Sequence, residues 1–162
     1  MANGEPENVK ADFVMLWIED QLSDFVDGVH VLEEEIRDKF VREPKRITAR
    51  TVAEAKEMLD KMKDSPPDVI LLDLMLPRTP QALEDNRIDG NGGYLLWHNI
   101  RKNKWGKRMA GVPIVIVTAR GKPEYYPAVV AEQRTEWLSK PADPHEISEA
   151  IDSLCEVSRG AK

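Results

Sequence analysis

Val69-Ile-Leu-Leu-Asp-Leu-Met-Leu-Pro77 sets a single carboxylate, Asp73, inside an otherwise unbroken apolar run. An ionised carboxylate left among apolar groups without a partner costs several kcal/mol or more. The residues before Asp73 therefore read as a buried strand, and Asp73 as the point where that strand leaves the core. Four further short apolar runs flank this one: Phe13–Ile18, a weaker one over Arg46–Arg50, Pro113–Thr118 and Glu136–Leu138.

Helical patterns separate the runs. From Gln21 to Phe40, apolar Leu22, Phe25, Val26, Val29, Leu32, Ile36 and Phe40 recur near the 3.6-residue period of an amphipathic helix. Thr51-Val-Ala-Glu54 is a capping box opening a helix to Met62, and Pro66-Pro67 stop it before the third strand. The pattern predicts further helices over Gly93–Lys102, with Leu96 and Ile100 on one face, and over Tyr125–Gln133. Asp143-Pro-His-Glu146 combines an N-cap, a proline at the first helical position and an acid. It starts a last helix running to Val157, on which Cys155 reads as a packing residue. Strands of continuous apolarity alternating with helices indicate a parallel sheet covered on both faces. The expected fold is α/β, a doubly wound five-stranded flavodoxin-like sheet of order 2-1-3-4-5.

Composition narrows the class. The chain has 162 residues, 41% hydrophobic and 32% charged, with a formal net charge of −6. That length suits one domain, placed at 13–157 between a polar N-terminal tail (1–12) and a C-terminal tail (158–162). The acidic balance argues against a nucleic-acid partner, and no apolar run approaches the about 20 residues of a membrane span. Without an apolar signal core at its N-terminus, the chain is expected to be cytoplasmic.

Polar residues cluster where the strands end. Glu19-Asp20 follow the first strand, Asp73 the third, Thr118 closes the fourth and Lys140 follows the fifth. In doubly wound folds those ends line one crevice. Carboxylates so close repel one another, and a divalent cation such as Mg²⁺, which favours oxygen ligands, removes the repulsion. A metal, an ammonium and a hydroxyl around one carboxylate form a receptor for a phosphoryl group. No histidine ends a strand to act as general base, which leaves Asp73 as the nucleophile of an aspartyl phosphate.

These residues resemble the response-regulator receiver domain over about Phe13–Val157. The likeness rests on Glu19-Asp20, on Asp73 in LLDLMLP, on Thr118-Ala119 and on Lys140-Pro141. The resemblance implies that Asp20, Asp73 and the Met75 backbone carbonyl hold Mg²⁺ directly, with Glu19 acting through water. It implies that Thr118, Ala119 and Lys140 receive the phosphate, and that Pro141 follows a cis peptide bond. Trp137 stands where relatives have a tyrosine or phenylalanine switch, although an aromatic at that place can simply fill the sheet edge. The implied partners are a sensor histidine kinase or phosphotransfer protein and a downstream protein target, with a homodimer as a further possibility. The chain would catalyse its own aspartyl phosphorylation and dephosphorylation rather than a metabolic reaction.

Two other classes compete. A phosphorylation-independent interaction module would keep the fold but not need the intact polar quintet. A dehalogenase-type phosphatase wants a second acid two residues after its nucleophile, where this chain has Met75. The chain also departs from the family it resembles. Arg78–Asn91 intervenes as a long polar segment before the next helix, Ala142 replaces an aromatic after Lys-Pro, and Gln133-Arg-Thr135 replaces small residues. The segment, with only Leu83 and Ile88 as large apolar residues, reads as a loop without a core of its own. Asp85–Gly90 imitates an EF-hand start but lacks two oxygen ligands, and Gly90-Asn-Gly-Gly93 lacks the spacing and lysine of a phosphate loop. His30, His98 and His145 are scattered, and the runs Glu33–Glu35 and Arg101–Lys104 read as solvated helix ends.

Overall fold

A computed structural model describes residues 11–160. The elements are β1 (Phe13–Ile18), a 3-10 turn (Leu22–Phe25), α1 (Val26–Phe40), β2 (Pro44–Ala49), α2 (Val52–Met62) and β3 (Val69–Leu72). There follow α3 (Pro80–Glu84), α4 (Gly92–Arg101), α5 (Lys107–Ala110), β4 (Ile114–Thr118), α6 (Tyr126–Val130), β5 (Thr135–Ser139) and α7 (Pro144–Gly160). The strands form one five-stranded sheet in the order β2-β1-β3-β4-β5, and every pairing is parallel. Most of the N-terminal tail lies outside the described residues, and α7 continues past Val157 to Gly160.

The period of two along each strand divides the core. Leu16, Ile18, Ile70, Leu72, Ile114 and Ile116 face one layer, packed under α2, α4 and α5. Met15, Trp17, Val69, Leu71, Val115 and Val117 face the other, under α1 and α7. Both faces are covered, so the inner strands carry apolar residues at consecutive positions. Caps fix where helices begin. Thr51 Oγ1 accepts from the Glu54 amide at 3.1 Å, and the Glu54 carboxylate accepts from the Arg50 amide at 2.7 Å. Asp143 Oδ1 accepts from the His145 amide at 2.8 Å.

Besides the helix expected from Gln21, which opens as the 3-10 turn with α1 starting only at Val26, two sequence expectations fail. Arg78–Asn91 is not a bare loop. Thr79 caps α3 by accepting from the Ala82 amide, and Leu76 and Asp89 exchange both backbone hydrogen bonds as a one-pair antiparallel bridge. Arg78 pairs with Asp89, while Pro77 and Arg78 carbonyls accept from the Val52 and Ala53 amides opening α2. The segment needs no core because backbone bonds to α2 support it. Secondly, Arg101 is not solvated. Its side chain is only 8% exposed. The guanidinium donates to the Ala110, Val112 and Arg134 carbonyls and to Thr135 Oγ1, at 2.8 to 3.0 Å, and pairs with Glu132. It ties α4 to the amino ends of β4 and β5. A charged run hides such a residue, because burial at one position leaves the neighbouring lysines outside.

Candidate functional site

The carboxyl ends of the strands bring the acids together. Beyond β1 the Glu19 amide donates to Ala49 O, and beyond β3 the Asp73 amide donates to Ile18 O, each at 3.0 Å. Backbone pairing thus continues past the strands and holds both acids at the rim. Glu19, Asp20 and Asp73 are all buried, and each offers an oxygen within 4.8 Å of the other two. The Asp20 carbonyl accepts from the Arg50 guanidinium at 3.2 Å, a support that the weak β2 pattern gave no reason to expect.

Lys140 answers part of that charge. Its Nζ lies 2.6 Å from Glu19 Oε2 and 3.0 Å from Asp73 Oδ2. The other Asp73 oxygen accepts from the Met75 amide at 3.0 Å, and Glu19 Oε1 accepts from the Gln21 amide at 3.1 Å. Burial and the neighbouring Asp73 carboxylate push the Glu19 carboxyl up to about 7, against the pull of Lys140. Burial works against the Lys140 ammonium, but the Glu19 hydrogen bond and the Asp73 charge outweigh it and raise its pKa above the usual lysine value. One ammonium among three carboxylates leaves the rim short of positive charge. Hard oxygen donors in such an arrangement fit a divalent cation of the magnesium type.

Thr118 is fully buried at the end of β4, its hydroxyl accepting from the Arg120 amide at 3.2 Å. The Lys140 amide donates to the Thr118 carbonyl at 2.9 Å, which joins the two strand ends directly. Ala119 follows, exposed, and the Lys140–Pro141 peptide bond is cis. Trp137 stands apart from the acids: it is level with Ile116 in the sheet and packs edge-on against Tyr126, with ring centroids 5.0 Å apart. The three histidines take no part in the rim. His145 instead contacts Glu35 and Glu149 on the surface.

Gly93, read in the sequence only as the start of a helix, lies against the backbone of the site. A Cβ there would sit 2.1 Å from the carbonyl oxygen of Asp73 and 2.6 Å from Leu74 Cα. Only glycine lets α4 begin against the backbone of Asp73 and Leu74, where the Gly93 amide donates to Leu74 O at 3.0 Å. The signal was a glycine at the start of a predicted helix, but close approach is a tertiary fact.

The fold and its acidic rim define a receiver domain of the kind used in two-component systems. The model of the response regulator receiver domain family matches residues 25–152, and the chain belongs to that family. Although this match starts after β1, the structure pairs β1 with β2 and β3 and sets Glu19 and Asp20 beside Asp73. Solved receiver domains share the fold at low identity. That of a DNA-binding response regulator from Colwellia psychrerythraea is 23% identical with a TM-score of 0.62, covering 90% of this chain and 99% of its own. That of a LuxO-type repressor from Vibrio parahaemolyticus is 17% identical with a TM-score of 0.63, covering 91% and 93%. The receiver domain of a Pseudomonas aeruginosa sensor histidine kinase, 16% identical with a TM-score of 0.57 and covering 90% and 98%, holds a magnesium ion in its active-site cleft. No described helix is long and apolar enough to cross a membrane.

Proposed function

We propose that this chain is a phosphoacceptor that takes a phosphoryl group onto Asp73 from a phosphohistidine of a sensor kinase or phosphotransfer protein, and passes the signal to a protein partner. The observation that carries the reading is Lys140 bridging Asp73 and Glu19 at a rim where Asp20 brings a third carboxylate. Asp20, Asp73 and the Met75 carbonyl would hold Mg²⁺, with Glu19 assisting through water. That ion would neutralise charge building on the phosphoryl oxygens. One Asp73 oxygen attacks phosphorus as the phosphorus–nitrogen bond breaks, and the departing imidazole nitrogen keeps the electron pair. Lys140 then turns from the free carboxylate to the phosphoryl oxygens, and because its amide bonds Thr118 O, movement at either strand end is felt by the other.

The test is to incubate the protein with Mg²⁺ and acetyl phosphate and weigh it intact. One phosphoryl group should be added, labile to hydroxylamine, and Asp73→Asn should remove it. Equal labelling of that variant would overturn the assignment.

A further inference from the structure

On the α1/α7 side of the sheet, directly behind the rim, lies a cavity of about 380 Å³. That is the scale of small-ligand pockets, about 300–1,000 Å³. Its walls are largely apolar: Trp17 and Val117 from the sheet, Phe25 from the 3-10 turn, Ala142 from the segment before α7 and Ile147 from its first turn. The Trp17 and Phe25 rings meet edge to face, centroids 6.0 Å apart, so one wall is aromatic. Ala142 contributes only a methyl group where its place after Lys140-Pro141 leads one to expect an aromatic ring, and the cavity extends over it.

The charged residues of its lining are Glu19, Asp24 and Lys140, and the exposed one, Asp24, marks the mouth. Lys140 is engaged by Glu19 and Asp73, and Glu19 by Lys140 and the Gln21 amide. Asp24 is exposed, and among the described residues no cation is paired with it. The mouth therefore presents one uncompensated negative charge to whatever enters. A cavity with largely apolar walls holds water poorly and a flat apolar body well.

We propose that this cavity binds a small aromatic amine, its ring against Trp17, Phe25 and Ala142 and its ammonium at Asp24. Anionic aromatics are rejected by the same mouth. The ligand would enter between the turn after Glu19-Asp20 and the Pro141-Ala142 segment, the two stretches that position the acids and Lys140. The site stands on its own walls and charge and does not depend on the phosphoacceptor reading.

Three probes that share a ring test it: tryptamine, neutral 3-methylindole and indole-3-acetate, titrated into the full chain by calorimetry and by amide chemical shifts. Tryptamine should bind tightest, about three- to fivefold better than 3-methylindole, as an exposed ion pair allows, and indole-3-acetate most weakly. Shifts should concentrate at Trp17, Phe25, Val117 and Ile147. Ala142→Phe, which fills the cavity, should abolish binding of all three. Asp24→Asn should lower tryptamine to the level of 3-methylindole and leave 3-methylindole unchanged; being exposed, it decides the matter even if Ala142→Phe does not fold. The proposal is overturned if no probe binds, if indole-3-acetate binds best, or if tryptamine affinity ignores Asp24→Asn.

Discussion

At the carboxyl end of the sheet three buried acids cluster, and one lysine meets two of them; at the amino end one buried arginine meets three carbonyls, a hydroxyl and a carboxylate. Both ends bury charge, yet they do opposite work. Around Arg101 four N–H donors find acceptors at hydrogen-bond distance, and the guanidinium pairs with Glu132, which Arg134 also contacts. Burial lowers the pKa of Arg101 to about 10 despite the opposing pull of Glu132, so it keeps its charge at neutral pH. The rim is left short of positive charge, an arrangement of oxygen donors compatible with a divalent cation. A cluster whose donors nearly all meet acceptors is mortar, whereas one with spare oxygen donors is open to a cation.

The contrast can be broken experimentally. Arg101→Ala should have the largest effect on stability, about 3 kcal/mol by denaturant unfolding, because it leaves the Ala110, Val112 and Arg134 carbonyls without their donor and a hole beside them, while labelling at Asp73 persists in the folded fraction. A loss under about 1 kcal/mol would mean the amino-end cluster is no more than a surface pair. Asp20→Ala should act the other way round, weakening Mg²⁺ by at least about tenfold, since even an outer partner of a metal ligand is worth that much, with little change in metal-free stability. Calorimetric titration checks it.

Glu19 gives a subtler effect. Its carboxyl is raised to about 7 from an ordinary 4.5, so the folded chain keeps a proton that the unfolded chain releases. Stability from this group is complete below 4.5 and drains away as pH rises to 7. In metal-free buffer at pH above 7, Glu19→Gln should therefore stabilise the fold by about 1 kcal/mol, and the gain should shrink in acid. Protons should also compete with Mg²⁺ below pH 7, the value to which Glu19 is raised. A Glu19→Gln gain that does not depend on pH would locate the imbalance elsewhere.

The smallest expected effect concerns the segment beside the rim. Replacing Thr79–Ile88 by a short glycine-containing turn, with Arg78 and Asp89 kept, should leave fold and acetyl phosphate labelling intact. It should change transfer from the cognate kinase, or the dephosphorylation rate, by a few-fold. If both rates stay at wild-type values, the segment is only a spacer.

Much of this was legible in the chain. Continuous apolar runs gave the sheet, and acids placed immediately after Ile18 and Leu72 gave the rim, because a strand end is the one place where a buried run can tolerate them. What escaped reading depends on partners distant in sequence. Arg101 looked solvated because its carbonyls come from residues 110, 112 and 134. Residues 78–91 looked coreless because their support is the open amides of α2. The 3-10 turn broke the expected helix from Gln21, and α5 was too short to leave a period.

Main-chain atoms fasten that inserted segment at both ends: Pro77 and Arg78 carbonyls to α2, and Leu76 to Asp89. Bonds of this kind are indifferent to side-chain identity. The outward side chains of Gln81 and Glu84–Arg87 are exposed and can be rewritten without disturbing either Asp73 or the core. The domain thus carries a replaceable label beside a fixed rim, and the label could be exchanged many times while the geometry around Asp73 stayed the same.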